Sequence, residues 1–341
     1  GLVFKPTTSS SLYVSYATSS TPPGISGGDQ NGNTATGTGN LLTVQLEPED
    51  SESFEAGAKA IGYKDVNTGR MAINSIDFDD RMPCQQTGFC FQGCKWGAKW
   101  SAAYTDVPRG EATGNLEVRS GCFALQIEHD DKGKATGVVY VDADGKQQRQ
   151  KARIVSVACN SIESPRLLLN SASSMFPDGM ANSSGQVGRN YMRHTTGSVY
   201  AVFDKPVSMW RGTVMAGYIG DERRHDPSRG FSGGFEFETL SLGLPFMAAF
   251  LDPGAWGREF TSALDSYENM AGLWIVGEDM PRETNRVTLN TEVKDANGLP
   301  VPNVHFDDHP NDEAMRAYAY RKGEEMYRAV GATRVFPTPP Y

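Results

Sequence analysis

Downstream of residue 50 the apolar positions fall into recognisable periods. Phe54, Ala58 and Ile61 recur at helical spacing behind Ser51, a residue type suited to capping a helix start. The stretch from Lys99 to Tyr104 predicts the start of a short helix. Residues 116–119, 123–128, 138–141 and 154–158 are short β-rich runs. The turn chemistry of Asp142, Ala143, Asp144 and Gly145 predicts that the last two pair as a hairpin. Ser164 then predicts a helix cap, with Pro165 at the first helical position and Leu167, Leu168 and Leu169 after it. A strand running into a capped helix is an α/β signature.

After His194 the texture changes. Residues 199–203, 214–219, 235–240, 273–276, 287–289 and 304–306 read as strands joined by Gly, Pro, Asp and Asn turns. With few helices between them, they predict one mostly antiparallel six-stranded sheet over 196–309. A long helix is expected over 311–330, with Met315, Tyr318, Lys322, Met326 and Ala329 near one side and Gly331 ending it. It should pack on that sheet. No internal repeat is visible.

Residues 1–50 are rich in Ser, Thr, Gly and Asn and read as loop or disorder. Gly37, Thr38 and Gly39 lack the full G-x-G-x-x-G pattern and the strand-then-helix frame of a dinucleotide loop. The chain, at 341 residues, has room for two domains. A net charge of -9 without a basic run argues against nucleic acid as a partner. The longest apolar run, 242–251, is interrupted by Pro245 and is too short for a transmembrane segment. Neither a charged leader region nor an apolar one opens the chain, so no signal peptide is visible. Targeting is then expected to have been removed, to reside on a partner, or to lie in a missing N-terminus.

The sharpest chemical feature is Cys84, Cys90 and Cys94, spaced C-x5-C-x3-C, with only Cys122 and Cys159 elsewhere. Thiolates are soft ligands that suit iron–sulfur clusters and zinc. A three-iron cluster needs three thiolates, whereas structural zinc normally takes four ligands. A disulfide leaving one odd thiol, or three inert thiols, fits the spacing equally. Trp96 and Trp100 flank the loop and read either as a water shield for a cluster or as core aromatics.

Five histidines offer a base suited to neutral pH. His129 and His225 sit among charged residues and read as solvated. His194 reads as a turn residue, and His305 and His309 as part of an Asp-rich strand end. No catalytic residue is assigned.

Residues 160–171, Asn-Ser-Ile-Glu-Ser-Pro-Arg-Leu-Leu-Leu-Asn-Ser, resemble the second signature of the glucose–methanol–choline (GMC) flavoprotein oxidoreductases. Residues 185–194, Gly-Gln-Val-Gly-Arg-Asn-Tyr-Met-Arg-His, resemble the family's next landmark. The cysteine loop with Gly97, Ala98 and Lys99 resembles the branch holding gluconate, fructose and glucose dehydrogenase large subunits. The resemblance covers about residues 52–341. It implies part of a Rossmann-like FAD-binding domain over 51–195 and a substrate domain over 196–335. Residues 336–341 would turn back toward the FAD domain.

The resemblance further implies that Cys84, Cys90 and Cys94 ligate a three-iron, four-sulfur (3Fe-4S) cluster. It places Ala124 at the adenine of FAD, and Ala158 and Cys159 close to the cofactor. Packing into a strand core is the alternative for all three. It also implies oxidation of a sugar, sugar acid or polyol, a small subunit, an acceptor that is a cytochrome such as cytochrome c or is quinone-linked, and a periplasmic or membrane-associated location. The family's FAD pyrophosphate loop and its His-x-x-Gly-Thr segment have no counterpart in the sequence. The expectation is therefore an internal portion of a longer flavoenzyme, inactive alone. An oxygen-using flavin oxidase with structural cysteines is the second reading, and a non-catalytic remnant that only binds a partner is the third.

Overall fold

A six-stranded antiparallel sheet organises the larger of two compact units. The computed structural model describes residues 2–7, 10–14, 49–69, 71–91, 93–240 and 256–338. The first elements are β1 (Leu2–Thr7), β2 (Ser10–Val14), α1 (Glu49–Ala60), β3 (Val66–Thr68) and α2 (Asp106–Ala112). There follow β4 (Phe123–His129), β5 (Ala135–Val141), β6 (Gln147–Lys151), α3 (Glu163–Asn170), β7 (Thr195–Val202) and β8 (Gly217–Ile219). The last are β9 (Phe235–Thr239), α4 (Gly257–Asp265), β10 (Met270–Gly277), β11 (Arg286–Lys294), β12 (Pro300–His305), α5 (Pro310–Ala329) and β13 (Arg334–Pro337). The larger unit draws on residues 1–108, 194–278 and 311–341, and the smaller on 109–193 and 279–310.

In the larger unit the strand order is β13-β7-β10-β9-β8-β3, every pair antiparallel. Strand alternation gives the sheet two different faces. Val199, Ala201, Phe235, Phe237, Leu273 and Ile275 form one face and are buried against Met315, Ala319 and Met326 of α5. The other face carries Tyr200 and Met270, packed with Met209, Val214, Trp274 and Cys90. Helix α5 ends where the sequence places its stop, with Gly331 at φ +84° accommodating the left-handed turn.

Only four of the six expected strands belong to this sheet. Residues 287–289 and 304–306 lie in β11 and β12, which pair with each other as a hairpin in the smaller unit. The sheet is completed instead by β3 and β13, which are short and only partly buried. Such edge strands carry little apolar signal. The run 214–219 contributes only Gly217–Ile219. The contiguous ranges 51–195 and 196–335 also divide the chain differently from its compact units. Ala58 enters the sheet's core and β3 pairs with β8, so residues 51–108 join the larger unit.

The smaller unit holds the antiparallel sheet β4-β5-β6, with α3 against β4 and β11. The turn at residues 142–145 does close a hairpin, but its second strand is β6 rather than 154–158. The sequence Gln-Gln-Arg-Gln-Lys is exposed throughout and hides its strand from a hydrophobic reading. Residues 154–158 form no strand, and Ile154 is 82% exposed. Residues 116–119 are likewise in no strand.

Helix starts shift too. Helix α1 has already begun at Glu49, ahead of Ser51. At α3, Asn160 does the capping, its Oδ1 accepting from the Ile162 and Glu163 amides at 2.8 and 2.7 Å. Ser164 lies inside that helix, and its Oγ instead accepts from the Cys159 and Asn160 amides. The expected short helix is a 3₁₀ turn at Ala102–Tyr104, capped by Ser101. Within residues 1–50 the loop reading fails for β1 and β2, which form an antiparallel pair. The Gly-Thr-Gly run at 37–39, the apolar run at 242–251 and residues 339–341 lie outside the described residues.

Candidate functional site

Cys84, Cys90 and Cys94 lie in a long irregular loop of the larger unit, between β3 and the Ala102–Tyr104 turn. The loop's base is stitched by backbone bonds. Asn74 N donates to Ala98 O at 2.9 Å, Cys84 N to Asn74 O at 2.8 Å and Trp100 N to Ala72 O at 2.7 Å. Arg81 adds a bond from Nη1 to Gly97 O at 2.9 Å. At Gly88, φ is +71° and an added Cβ would stand 2.4 Å from Trp210 O, so only glycine lets the loop lie this close.

Backbone donors point at the sulfurs. Cys84 Sγ accepts from Gln86 N at 3.3 Å and Cys94 Sγ from Lys99 N at 3.5 Å, while a Val214 amide reaches Cys90. Lys99 Nζ donates to Cys90 O at 3.0 Å and sits 5.8 Å from the Phe91 ring centre. Burial pushes the Cys84 thiol up; the Gln86 amide works against that shift, and the Cys90 and Cys94 sulfurs add to it. Burial likewise raises Cys90, opposed by Val214 and Lys99 and reinforced by Cys94. The three sulfurs therefore share one local field.

All five cysteines are free thiols. Soft thiols with amide donors are the chemistry an iron–sulfur group takes. Among the described residues, however, no group of three or more His, Cys, Asp or Glu has the geometry to hold a metal ion. The donor set suits a cluster, and the sulfurs are not drawn into a ready-made cage. Trp96 and Trp100 are 36% and 46% exposed, so the core reading of both is wrong. Lys95 Nζ lies 5.2 Å from the Trp96 ring centre.

The residues expected at FAD lie in the smaller unit. Ala124 opposite Tyr140 lines an open groove of about 470 Å³, together with Arg119, Cys122, Val138 and Gln150. Arg119 spans the groove, donating to Glu117 at 2.8 Å, Tyr140 Oη at 2.9 Å and Gln150 at 2.8 Å. Ala158 and Cys159 do not line it. Both are exposed just ahead of the Asn160 cap of α3. None of the three is packed into a strand core.

His129 departs from the solvated reading. Its Nδ1 is 2.8 Å from Asp130 O, its Nε2 is 2.8 Å from Ser173 Oγ, and Phe176 lies edge-on at 4.9 Å. This is a hydrogen-bonded strand-end residue. His194 and His225 are exposed. His305 Nε2 approaches Asp307 Oδ2 at 3.1 Å on an exposed strand end.

Sequence reasoning missed one polar feature. Glu236 and Glu238 alternate with the buried Phe235, Phe237 and Thr239 and share the sheet face opposite α5. Burial, with the charge of Glu236 adding to it, raises the Glu238 carboxyl to about 7. The alternation Phe-Glu-Phe-Glu-Thr could have revealed the pair.

Comparison with known proteins places residues 44–196 on the family model described as GMC oxidoreductase. This stretch contains the cysteine loop, the groove and the run 160–171. The chain belongs to the GMC oxidoreductase family. It is 34% identical over 254 residues to 2-methyl-1,2-propanediol dehydrogenase of Mycolicibacterium austroafricanum, covering 72% of this chain and 46% of that protein. It is 28% identical to the fructose dehydrogenase large subunit of Gluconobacter japonicus, covering 79% of this chain and 49% of that one. The chain thus spans about half the length of the curated relatives it matches. Formate oxidase of Aspergillus oryzae RIB40 aligns over 63% of this chain and 49% of its own, with TM-score 0.40 and 17% identity.

Proposed function

We propose that this GMC chain is part of an FAD-dependent dehydrogenase that oxidises a hydroxyl of a sugar, sugar acid or polyol. The observation that carries the reading is the family match over 44–196. Relatives named for a propanediol and for fructose support a CH–OH donor. Flavin, when bound, supplies the hydride acceptor. In this reading the smaller unit belongs to the FAD-binding part, and Ala124 offers its backbone to the adenine. The small side chain keeps the groove open there. Ala158 and Cys159 would help hold the cofactor, and the six-stranded sheet would serve the substrate. No described residue is assigned as the base.

Cys84, Cys90 and Cys94 are the proposed ligands of a 3Fe-4S cluster, which when bound supplies one-electron transfer. The Gln86 amide at Cys84, and the Val214 amide and Lys99 charge at Cys90, would favour thiolate over thiol there. A small subunit, a cytochrome c acceptor and a periplasmic or membrane-associated setting complete the proposal. The second reading is a flavin oxidase in which the cysteines are structural.

Electron paramagnetic resonance of anaerobically purified protein, with iron and flavin counted per chain, tests this. About three iron atoms and a cluster signal support the dehydrogenase. Flavin without iron, with peroxide formed on turnover, supports the oxidase. Neither flavin nor iron in protein expressed through its natural ends would overturn both.

A further inference from the structure

The sheet that carries the larger unit is polar where its interior strand would ordinarily be apolar. Strand β9 lies between β10 and β8, so Glu236 and Glu238 are not edge residues. In register Glu238 stands between Tyr218 of β8 and Trp274 of β10, and Glu236 stands opposite Val276. The Glu238 carboxylate is half-buried and, among the described residues, has no hydrogen-bond or ion-pair partner. Beside it, Trp274 Nε1 is a buried donor with no acceptor. Arg223, over the Tyr218 ring at 5.2 Å, is engaged by Asp65 at 2.6 Å. A carboxylate withdrawn from water without a partner is costly, and no described residue pairs with it here. Flanked in register by Tyr218 and Trp274, it matches a site that accepts hydrogen bonds from a ligand.

We infer that Glu238, with Glu236 beside it, determines substrate class: it accepts hydrogen bonds from hydroxyl or ammonium groups and turns away sugar acids. The inference rests on the reading of this sheet as the substrate-binding part and narrows that reading to neutral or cationic polyols. A carboxylate ligand would meet two acidic side chains on one face, whereas hydroxyl and ammonium groups supply the missing donors.

Three probes of one carbon skeleton separate the cases: sorbitol, glucamine and gluconate. In flavin-loaded enzyme expressed through its natural ends, sorbitol or glucamine should exceed gluconate in kcat/KM by about tenfold or more. Glu238→Gln should raise KM for the favoured probe about tenfold with kcat little changed, and should narrow the gap to gluconate. A merely structural role would leave the kcat/KM ratios among the three probes unmoved. Separately, the 341-residue chain is titrated with each probe while the Glu238 carboxyl is followed by carbon-13 NMR. Glucamine should lower its apparent pKa and gluconate should not. If no probe turns over yet glucamine shifts that resonance, the proposed reaction fails and the inference stands. Gluconate preferred by the native enzyme, or a Glu238 resonance indifferent to glucamine, overturns it.

Discussion

Arg166 of α3 reaches Asp295 in the turn joining β11 to β12, with Nη2 2.5 Å from Oδ2. Its Nε donates to Pro300 O at 3.0 Å and its Nη1 to Glu163 at 3.1 Å. The Arg166 side chain is 7% exposed, so one guanidinium ties the helix to a hairpin far along the chain. Removing one partner of a buried pair strands the other charge. Arg166→Ala should therefore destabilise the smaller unit by about 3–5 kcal/mol, measured by denaturant unfolding. A loss below about 1 kcal/mol would mean the pair behaves as a surface bridge.

The same pair sets a pH dependence. Burial works to raise the Asp295 carboxyl, but the Leu299 amide, Arg166 and the Asn297 amide prevail and hold it below the usual range. An acid whose folded pKa is depressed contributes stability above its unfolded pKa, and the contribution fades as pH falls through the folded one. Melting of the native chain should thus steepen its decline in acid below about pH 4. Asp295→Asn should flatten that limb.

A second buried cluster joins three segments of the larger unit. Glu222 accepts from Tyr63 Oη at 2.7 Å and Tyr318 Oη at 3.2 Å and pairs with Arg229, whose side chain is 6% exposed. Burial, helped by Glu222, drives the Tyr63 hydroxyl far above its ordinary range, so it stays a donor. Tyr63→Phe should cost about 1–3 kcal/mol, since Tyr63 donates to a charged acceptor. Glu222→Ala should cost about 3–5 kcal/mol by leaving Arg229 uncompensated. Equal effects of the two substitutions would show that the ion pair adds nothing.

What the sequence made legible was chemistry carried by local runs. The strand run at 235–240, the long helix with its Gly331 stop and the Asn160–Ser171 landmark are all readable because their signals are contiguous. The swap of β11 and β12 for β3 and β13 was not, since pairing across the chain depends on which core each strand can enter. Strand β6 is hidden by its wholly exposed, polar sequence. The Asn160 cap was missed because Ser164 beside Pro165 looks like the stronger start. At the cysteine loop, spacing named the three thiols, while their shared field and amide donors needed the fold.

That field makes the thiols distinguishable by reactivity. With the Cys84 and Cys90 thiols raised by burial, less thiolate exists near neutral pH, so alkylation there should be slow. Cys159 is exposed and should react first, which peptide mapping after brief iodoacetamide treatment reads directly. Incubation with iron and sulfide under reducing conditions should then protect Cys84, Cys90 and Cys94 together while Cys159 stays reactive. Replacing any one of the three by Ser should abolish protection at the other two, because a three-thiolate site does not survive on two ligands. Protection that develops independently at each cysteine, or at none, would assign the loop a purely structural role.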